Sequence, residues 1–450
     1  MKKVKRRTFS VLIIAAILLA GVLFYGVKYV RDGADWVSFP SNDTVYRDGV
    51  LAVGTVTDRD GELLATADED GGRTFAEDWL TRVSVFHAVG DEYGNVGTGA
   101  LSAFRSKLIG FDLINGAYSR TGRGGTVRLS IDADLNRAAY EALDGRKGTV
   151  AVMNYKTGEI LCAVSNPSYD PEDPPEIDPD DEEWEGVYIN RFLSSSFTPG
   201  SIFKLVTSAA AIETIDDVCD RTFWCEGEME IGDDTVHCLS YHGEIGFEDG
   251  LAQSCNCVFA QLALELGAET LNEYAEKLGL SGVTFTVDGI ETAAGNYDIA
   301  KEDIDVAWSG VGQYNDTVNP CAMLRFAAAV ANGGDAPEMT LISRKGLRAL
   351  SGTKTEEVLR ASTAEKLKEM MSYNVYAGYG TENFPDLNLC AKSGTAELGP
   401  DLSPHAWFVG FNDDDSAPYA FVVMVENGGW GSSVAGSVAN AVLQAAVNRT

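Results

Sequence analysis

A serine and a lysine three residues apart can form a nucleophile and its general base. On a helix, residues i and i+3 share a face, so the two side chains can touch. A serine hydroxyl becomes nucleophilic when a base takes its proton, and a lysine with a lowered pKa can be that base. The spacing occurs twice, at Ser201–Lys204 and at Ser351–Lys354. The pattern by itself does not choose between the two pairs.

The surrounding sequence favours the first pair. Ser201 follows Pro199-Gly200 and opens a strongly apolar run typical of a buried helix. A helix N-terminus favours developing negative charge on a reacting group. The second pair lies in the stretch SGTKTEE, which is typical of a surface loop. We therefore predict that Ser201 is the nucleophile and that Lys204 is its base.

Two further motifs also occur twice each. Ser-x-Asn is found at Ser254–Asn256 and at Ser372–Asn374, and Lys-Thr/Ser-Gly is found at Lys156–Gly158 and at Lys392–Gly394. Order along the chain separates them. Only one combination places a loop among helices, and then a lysine on a strand late in the chain, after Ser201. It is Ser254–Asn256 followed by Lys392–Gly394. That order matches the motif triple of penicillin-binding proteins and serine β-lactamases.

The elements around these motifs predict an α+β fold. TVRLSI reads as a strand, DADLNRAAYEAL as a helix, and KGTVAVMNYKTGEILCAVS as a β-hairpin. A mainly helical stretch follows from Ser201 to about Leu280. NLCAKSGTAEL, HAWFVGFN and YAFVVMVEN then alternate as strands before a closing helix, VAGSVANAVLQAAV. We expect an antiparallel sheet with flanking helices and an inserted helical subdomain.

The N-terminal part predicts a membrane anchor and a small module. Residues 8–27 carry no charge and are long enough to cross a bilayer. Five basic residues precede them, which predicts a cytoplasmic N-terminus and an extracellular C-terminal bulk. A cleaved signal peptide is the competing interpretation, but the apolar run is long and no A-x-A-like site follows it. Residues 31–121 are rich in Gly, Thr and Val and read as a mostly-β module.

Composition excludes several classes of protein. The 450 residues include 67 acidic and 35 basic side chains, for a net charge of −32. This charge repels phosphate backbones and excludes a nucleic-acid binder. Only four histidines are present, with no HExxH motif, so we expect no metal centre and no cofactor. His242 and His405 are candidate bases, but no Gly-x-Ser-x-Gly motif accompanies them, which favours structural roles.

Eight cysteines are too few for a disulfide scaffold. Cys225 and Cys238 flank a short polar hairpin and form the best candidate disulfide pair, with Cys219 an alternative partner. Cys255 and Cys257 flank Asn256, where a buried small residue is favoured over a reactive thiol. The remaining three lie in apolar runs and read as buried: Cys162, Cys321 and Cys390.

Further segments carry a family resemblance. They are, in chain order, GTVTDRDGELLAT, RLSIDADLNRAAYEAL, NYKTGEILCAVSNPSYDP, INRFLSSSFTPGSIFK, AVANGG, AKSGTAE and HAWFVGF. Together they resemble monofunctional, class B-like penicillin-binding proteins, the D,D-transpeptidases that cross-link peptidoglycan, over roughly residues 40–450. The resemblance implies a penicillin-binding/serine β-lactamase-like transpeptidase domain. The implied organisation is a cytoplasmic tail at 1–7, a transmembrane anchor at 8–30, a pedestal-like module at 31–121 and the transpeptidase domain at 122–450.

The resemblance also implies a catalytic role for each motif residue. Ser201 would attack the penultimate D-Ala carbonyl of a stem pentapeptide, and Lys204 would accept its proton. Ser254 would take part in the proton relay, and Asn256 would bond the substrate's amide. An acyl-enzyme would form as D-Ala leaves, and an amine of a neighbouring peptide would resolve it. Lys392 would supply positive charge near the serines.

The strand motif is expected to bind substrate. Ser393 and Thr395 would hold the terminal carboxylate, with Gly394 between them. The backbone N–H groups of Ser201 and Thr395 would form the oxyanion hole. Ser393 stands where threonine is commoner in the family, and it keeps the hydroxyl.

Partners and alternatives follow from the same resemblance. β-Lactams would inhibit by leaving a slow ester on Ser201. No glycosyltransferase domain is expected before residue 40, so a membrane-embedded glycan polymerase is an implied partner. The competing interpretations are a D,D-carboxypeptidase, a β-lactamase or β-lactam sensor, and a non-catalytic scaffold of wall synthesis.

Overall fold

The protein is described by a computed structural model covering residues 2–39, 42, 45–68, 70–114, 116, 124–178, 181–299, 302–345 and 352–449. Helices and strands are numbered in chain order. The α-helices are α1 (Lys2–Val37), α2 (Trp79–Ser84), α3 (Phe86–Val89), α4 (Ala100–Ala103), α5 (Arg105–Ile109), α6 (Ala133–Leu143), α7 (Arg191–Ser194), α8 (Lys204–Thr214), α9 (Phe247–Ala252), α10 (Asn256–Lys277), α11 (Asp303–Val311), α12 (Pro320–Ala331), α13 (Ala361–Asn374) and α14 (Ala435–Val447).

The β-strands alternate with these helices. They are β1 (Tyr46–Arg47), β2 (Val50–Leu51), β3 (Thr55–Thr57), β4 (Leu63–Ala67), β5 (Arg73–Phe75), β6 (Thr126–Arg128), β7 (Gly148–Asn154), β8 (Ile160–Asn166), β9 (Thr222–Cys225), β10 (Glu228–Ile231), β11 (Asp234–His237), β12 (Gly243–Gly246), β13 (Thr286–Val287), β14 (Ile290–Glu291), β15 (Asp335–Pro337), β16 (Thr355–Glu357), β17 (Leu389–Ala396), β18 (His405–Asn412) and β19 (Tyr419–Val425).

A five-stranded antiparallel sheet of order β17-β18-β19-β7-β8 forms the centre of the larger domain. Helices α6 and α14 pack on one face, and α12 packs on the other. Because both faces are covered, β18 and β19 are buried at every residue. Their continuous apolar runs follow from this, since neither face has to be polar. The predicted antiparallel sheet with flanking helices is confirmed.

Local sequence signals fix the helices against this sheet. The side chain of Asp132 caps α6 by accepting a hydrogen bond from the Leu135 N–H, as a helix N-cap requires. The hairpin of β7 and β8 turns where Asn154 accepts hydrogen bonds from two backbone N–H groups of the turn. These contacts hold the first half of the sheet beside its last three strands.

The N-terminal module shares a sheet with the region that follows it. Strands β3, β4 and β5 form a four-stranded sheet with β6, which pairs parallel to β3. Strand β6 lies beyond the boundary predicted at residue 121. Short helices α2 to α5 complete the module. The small N-terminal module is therefore tied to the start of the larger domain by backbone hydrogen bonds.

The region from Ser201 to Leu280 contains more strands than the sequence predicts. Helix α8 is followed by two antiparallel pairs, β9 with β12 and β10 with β11, before α9 and α10 begin. The polar segment GEMEIGDDTVH forms the β10–β11 hairpin, as predicted. The strands on either side of it, β9 and β12, have only four residues each, which is the shortest run in which alternation indicates a strand.

One apolar helix extends out of the folded core, which it contacts near its C-terminal end, where Tyr29 packs on Phe111. Helix α1 spans 36 residues and has a mean hydropathy of 2.6 over its most apolar window, none of which is buried. Its length exceeds the thickness of a bilayer core. This is compatible with the predicted anchor, whose uncharged stretch continues as helix into the first residues of the module.

We expect Phe408→Ala to destabilise the larger domain by about 3–5 kcal/mol, because a large side chain is deleted from a packed core. Phe408 is fully buried on β18 and stacks on Phe384, with ring centroids 5.7 Å apart. Denaturant unfolding of the detergent-solubilised protein measures the change. Leu402→Ala is the control, since this leucine is exposed and its truncation should shift stability by less than about 0.5 kcal/mol. Equal effects would contradict the assigned core.

Candidate active site

Ser201 lies in a tight turn at the start of α8. Residues Gly200–Phe203 form one turn of 3₁₀ helix that continues directly into α8 at Lys204. This continuity places the two side chains on one face, with Lys204 Nζ 3.0 Å from Ser201 Oγ. The contact is short enough for direct proton transfer.

Ser254 and Asn256 reach the same point from the loop between α9 and α10. Ser254 adopts a left-handed backbone conformation with φ of +54°, which turns the chain sharply before α10. Its Oγ lies 3.1 Å from Lys204 Nζ and 3.2 Å from Lys392 Nζ. Ser254 therefore bridges the two amines.

The amine of Lys204 lies among four oxygen atoms. Its nitrogen lies 2.7 Å from the Ser254 carbonyl oxygen and 2.7 Å from Asn256 Oδ1. Both oxygens can only accept, so each takes one N–H. A neutral amine has two N–H groups and one lone pair. In that form the lone pair is left for a hydroxyl, and both Ser201 Oγ at 3.0 Å and Ser254 Oγ at 3.1 Å lie within reach of the nitrogen.

Burial favours this neutral form. Lys204 and Lys392 are 0% and 1% exposed, and neither makes an ion pair with a described carboxylate. Burial lowers the pKa of Lys204 from 10.5 to about 7, against the opposing effect of nearby cysteine thiols. Burial and the charge of Lys204 hold the pKa of Lys392 well below 10.5. The pair thus has an amine ready to accept a proton near neutral pH.

Close packing brings β17 against the nucleophile turn. Gly200 has φ of +56°, and a Cβ there would lie 2.8 Å from the Thr395 carbonyl oxygen. A Cβ on Gly394 would lie 2.8 Å from the Pro199 carbonyl oxygen. Side chains at these two positions would push strand and turn apart. Gly394 is therefore a spacer whose missing side chain lets the strand carrying Lys392 approach Ser201.

Sequence reasoning missed Tyr379, which holds Ser393. Its hydroxyl donates to Ser393 Oγ at 3.0 Å and accepts the Ser393 backbone N–H at 2.8 Å. Tyr379 ends a short π-helical turn, Val375–Tyr379, at the end of α13. Burial raises the pKa of this phenol, so it stays protonated. No motif marks the residue in the sequence, because the contact crosses from α13 to β17.

A cleft of about 610 Å³ opens above these groups. Ser201, Ser254, Asn256, Ser393 and Thr395 all line it, whereas the two lysines lie beneath its floor. Two tryptophans and a glutamine that the sequence analysis did not assign to the cleft also line it: Trp308, Trp430 and Gln313. The cleft is large enough to hold a short peptide.

The other candidates fall elsewhere. Lys156–Gly158 forms the turn of the β7–β8 hairpin, and Ser372–Asn374 lies within α13. Ser351 lies outside the described residues, while Lys354 is exposed. His405 accepts a hydrogen bond from the Asn427 N–H through Nδ1, a structural contact.

The predicted Cys225–Cys238 disulfide is not formed in the structure. All eight cysteines are free thiols. Cys225 and Cys238 instead lie together with Cys255 and Cys257, and their four sulfur atoms are within 4.8 Å of one another. In the sequence these residues fall into two groups, Cys225 with Cys238 and Cys255 with Cys257. No spacing typical of a metal site connects the two groups.

The geometry defines a serine acyl-transfer site with a lysine base, a second serine, and a lysine-bearing edge strand. Comparison with known proteins agrees. The penicillin binding protein transpeptidase domain matches residues 148–444. The peptidoglycan D,D-transpeptidase PbpA of Mycobacterium tuberculosis is 27% identical over 378 residues, covering 76% of each chain.

Two solved structures share the fold. One is the D,D-transpeptidase domain of a peptidoglycan glycosyltransferase from Eggerthella lenta, 26% identical, with a TM-score of 0.73 over 88% of this chain and 98% of that one. The other is the ceftriaxone acyl-enzyme complex of penicillin-binding protein A from M. tuberculosis, 24% identical, with a TM-score of 0.75 over 88% and 98%. The chain belongs to the penicillin-binding protein transpeptidase family. It is a serine-type peptidoglycan D,D-transpeptidase.

We expect the rate of acylation by penicillin to rise with pH through about 7 and to level off above it. The reason is that only the neutral amine of Lys204 can take the Ser201 proton, and its fraction grows as pH passes its pKa. Below that pKa the rate should change about tenfold per pH unit. Stopped-flow acylation measured from pH 5 to 10 checks this.

The control is Lys204→Arg, which keeps a cation but supplies no base near neutral pH and should acylate about 10²–10⁴-fold more slowly. A rate that instead climbs only near pH 10 would contradict the lowered pKa. A wild-type profile in the arginine variant would exclude Lys204 as the base.

Proposed function

We propose that Ser201 is the residue through which this transpeptidase forms its acyl-enzyme. The observation that carries the proposal is the 3.0 Å contact between Ser201 Oγ and the buried amine of Lys204, at the floor of the cleft. Attack of Oγ on the penultimate D-Ala carbonyl forms the new ester, while the Ser201 proton passes to Lys204. A tetrahedral oxyanion then develops, and the backbone N–H groups of Ser201 and Thr395 stabilise it.

Departure of D-Ala requires a proton on the leaving amine. Ser254 is suited to deliver it, because its Oγ touches both lysine amines and also lines the cleft. Lys204 protonates Ser254 as Ser254 gives its own proton to the amine. The same relay, run in reverse, activates the amine of a second stem peptide that attacks the ester.

The edge strand β17 is proposed to bind the terminal carboxylate of the substrate. Ser393 and Thr395 line the cleft on this strand, and Lys392 lies beneath it. Tyr379 fixes the Ser393 hydroxyl, so one donor is oriented before substrate arrives. Asn256 Nδ2 donates a hydrogen bond to the His237 carbonyl oxygen at 2.8 Å, and this bond sets the orientation of the Asn256 amide. β-Lactams would enter as mimics of D-Ala-D-Ala.

The proposed setting is the outer face of a bacterial membrane. Helix α1 would cross the bilayer with its basic N-terminus in the cytoplasm, following the positive-inside rule. The catalytic domain would then meet stem peptides outside the cell. A membrane-embedded glycan polymerase would supply the uncross-linked strands on which this enzyme acts.

Ser201→Ala should abolish covalent labelling by penicillin, because the variant has no nucleophile at the base of the cleft. Intact-mass spectrometry of the full chain with the drug measures the adduct, and peptide mapping locates it. Ser351→Ala is the matched control, since it removes the other Ser-x-x-Lys serine and should label normally.

This labelling experiment, together with an assay of D-Ala release from a pentapeptide, separates the competing enzymatic functions. A persistent adduct on the Ser201 peptide supports the proposal. Labelling that survives Ser201→Ala would overturn the assignment. Drug hydrolysis without an adduct would make the protein a β-lactamase. Release of D-Ala from a pentapeptide at a rate and product pattern unaffected by added amine acceptors would make it a carboxypeptidase.

A further inference from the structure

Four cysteine sulfurs converge directly behind the catalytic loop. Cys225 ends β9, Cys238 follows β11, and Cys255 and Cys257 bracket the first residue of α10. Their Sγ atoms all lie within 4.8 Å of one another, and those of Cys238 and Cys255 are 3.8 Å apart. Three of the four side chains are buried, and the fourth, Cys238, is partly buried.

This arrangement is close to the size of a tetrahedral metal–thiolate centre. Zinc binds thiolate sulfur at about 2.3 Å, so a regular tetrahedron places its sulfurs about 3.8 Å apart. We propose that Cys225, Cys238, Cys255 and Cys257 bind one Zn²⁺ ion. Binding converts four thiols to thiolates, and the protons released pass to solvent. A four-sulfur set leaves no open position, which makes the centre structural rather than catalytic.

The surroundings of the sulfurs support thiolate ligands. The backbone N–H of Gly227 points at Cys225 Sγ, and that of Asn256 points at Cys238 Sγ, each at 3.4 Å. Donors of this kind orient metal-bound sulfur and stabilise its charge. His242 Nδ1 lies 3.4 Å from Cys225 Sγ and 3.6 Å from Cys238 Sγ. The imidazole thus lies beside the proposed ligands Cys225 and Cys238 and contacts both sulfur atoms.

Separate buried thiols do not account for the cluster. The protein has four other cysteines, and none of them joins this group of sulfurs within the described part of the chain. Here three chain segments direct four sulfur atoms toward one point, with Cys255 and Cys257 on the same segment. Two disulfides would also consume four thiols. The structure forms neither of them, since all eight cysteines are free thiols.

The centre would position the catalytic loop. Asn256 stands between two of the proposed ligands, and its Oδ1 accepts a hydrogen bond from Lys204. On the other side of the centre, Cys238 lines the cleft together with its neighbours His237 and Leu239. One metal ion would therefore join the hairpin wall of the cleft to the loop that bears Ser254. The cysteines touch no reacting atom, so their role is positioning.

Metal content and thiol count test the proposal without any variant. The full chain, purified in detergent without reductant or chelator, should carry one equivalent of zinc by elemental mass spectrometry. Denaturation with EDTA should then expose eight thiols to Ellman's reagent. Four thiols and no metal would mean two disulfides and would overturn the proposal. Eight thiols with no uptake of added Zn²⁺ or Co²⁺ would overturn it too. One equivalent of iron would overturn the assignment to zinc.

Variants locate the site on the chain. Cys257→Ser should lose most of the bound zinc, and it should also lose the sulfur-to-cobalt charge-transfer band of the Co²⁺-substituted protein. The double variant Cys225→Ser/Cys238→Ser removes both sulfurs beside His242, so that the imidazole cannot restore a set of four ligands. Cys219→Ser is the matched control, since this exposed cysteine lies outside the cluster and should retain one zinc and full activity. Zinc retained in both cluster variants would contradict the ligand set.

Measuring the rate of penicillin acylation rests on the proposed role of Ser201, whereas measuring the zinc content does not. Removing zinc with a chelator should slow penicillin acylation about tenfold or more, because a small displacement of positioned groups is costly. Adding Zn²⁺ back should restore the rate. Zinc binding without any labelling of Ser201 would leave this inference standing and overturn the proposed function. Labelling at an unchanged rate in the metal-free protein would overturn the positioning role.

Discussion

The burial of the Lys204 amine between two oxygens that can only accept is the constraint on which the site depends. The Ser254 carbonyl and Asn256 Oδ1 each accept one N–H at 2.7 Å, and Ser201 Oγ lies 3.0 Å from the same nitrogen. Burial disfavours a cation there and lowers the pKa of Lys204 to about 7. The loop between α9 and α10 must therefore hold its position, and the left-handed Ser254 and the hydrogen bond from Asn256 Nδ2 to the His237 carbonyl both constrain it.

The sheet imposes the second constraint. Lys392 and Ser393 reach the site only because β17 is the edge strand and lies against the nucleophile turn. Gly200 and Gly394 make that approach possible, since a Cβ at either would collide with backbone oxygen. The buried strands behind β17 hold it rigidly, so the spacing between turn and strand does not have to be set by side chains in the cleft. Helices on both faces of the sheet keep water from its interior.

Much of this could be predicted because the signals are local or ordered along the chain. The Ser-x-x-Lys pair, the helix after Asp132 and the β7–β8 hairpin each follow from short-range spacing. Tyr379 and the four-cysteine cluster could not be predicted, because both depend on contacts between distant segments with no shared pattern. The disulfide prediction failed for the same reason. It paired two cysteines across a hairpin, whereas the fold brings two more to the same point.

The most direct test of the central claim is the pKa of Lys204 itself. Lysine labelled with ¹³C at Cε reports ionisation by NMR, and Lys204→Arg and Lys392→Arg identify the two buried signals by their disappearance. The Lys204 signal should titrate near 7. Titration near 10.5, the usual value for lysine, would show a cation at neutral pH and contradict the role of Lys204 as the base.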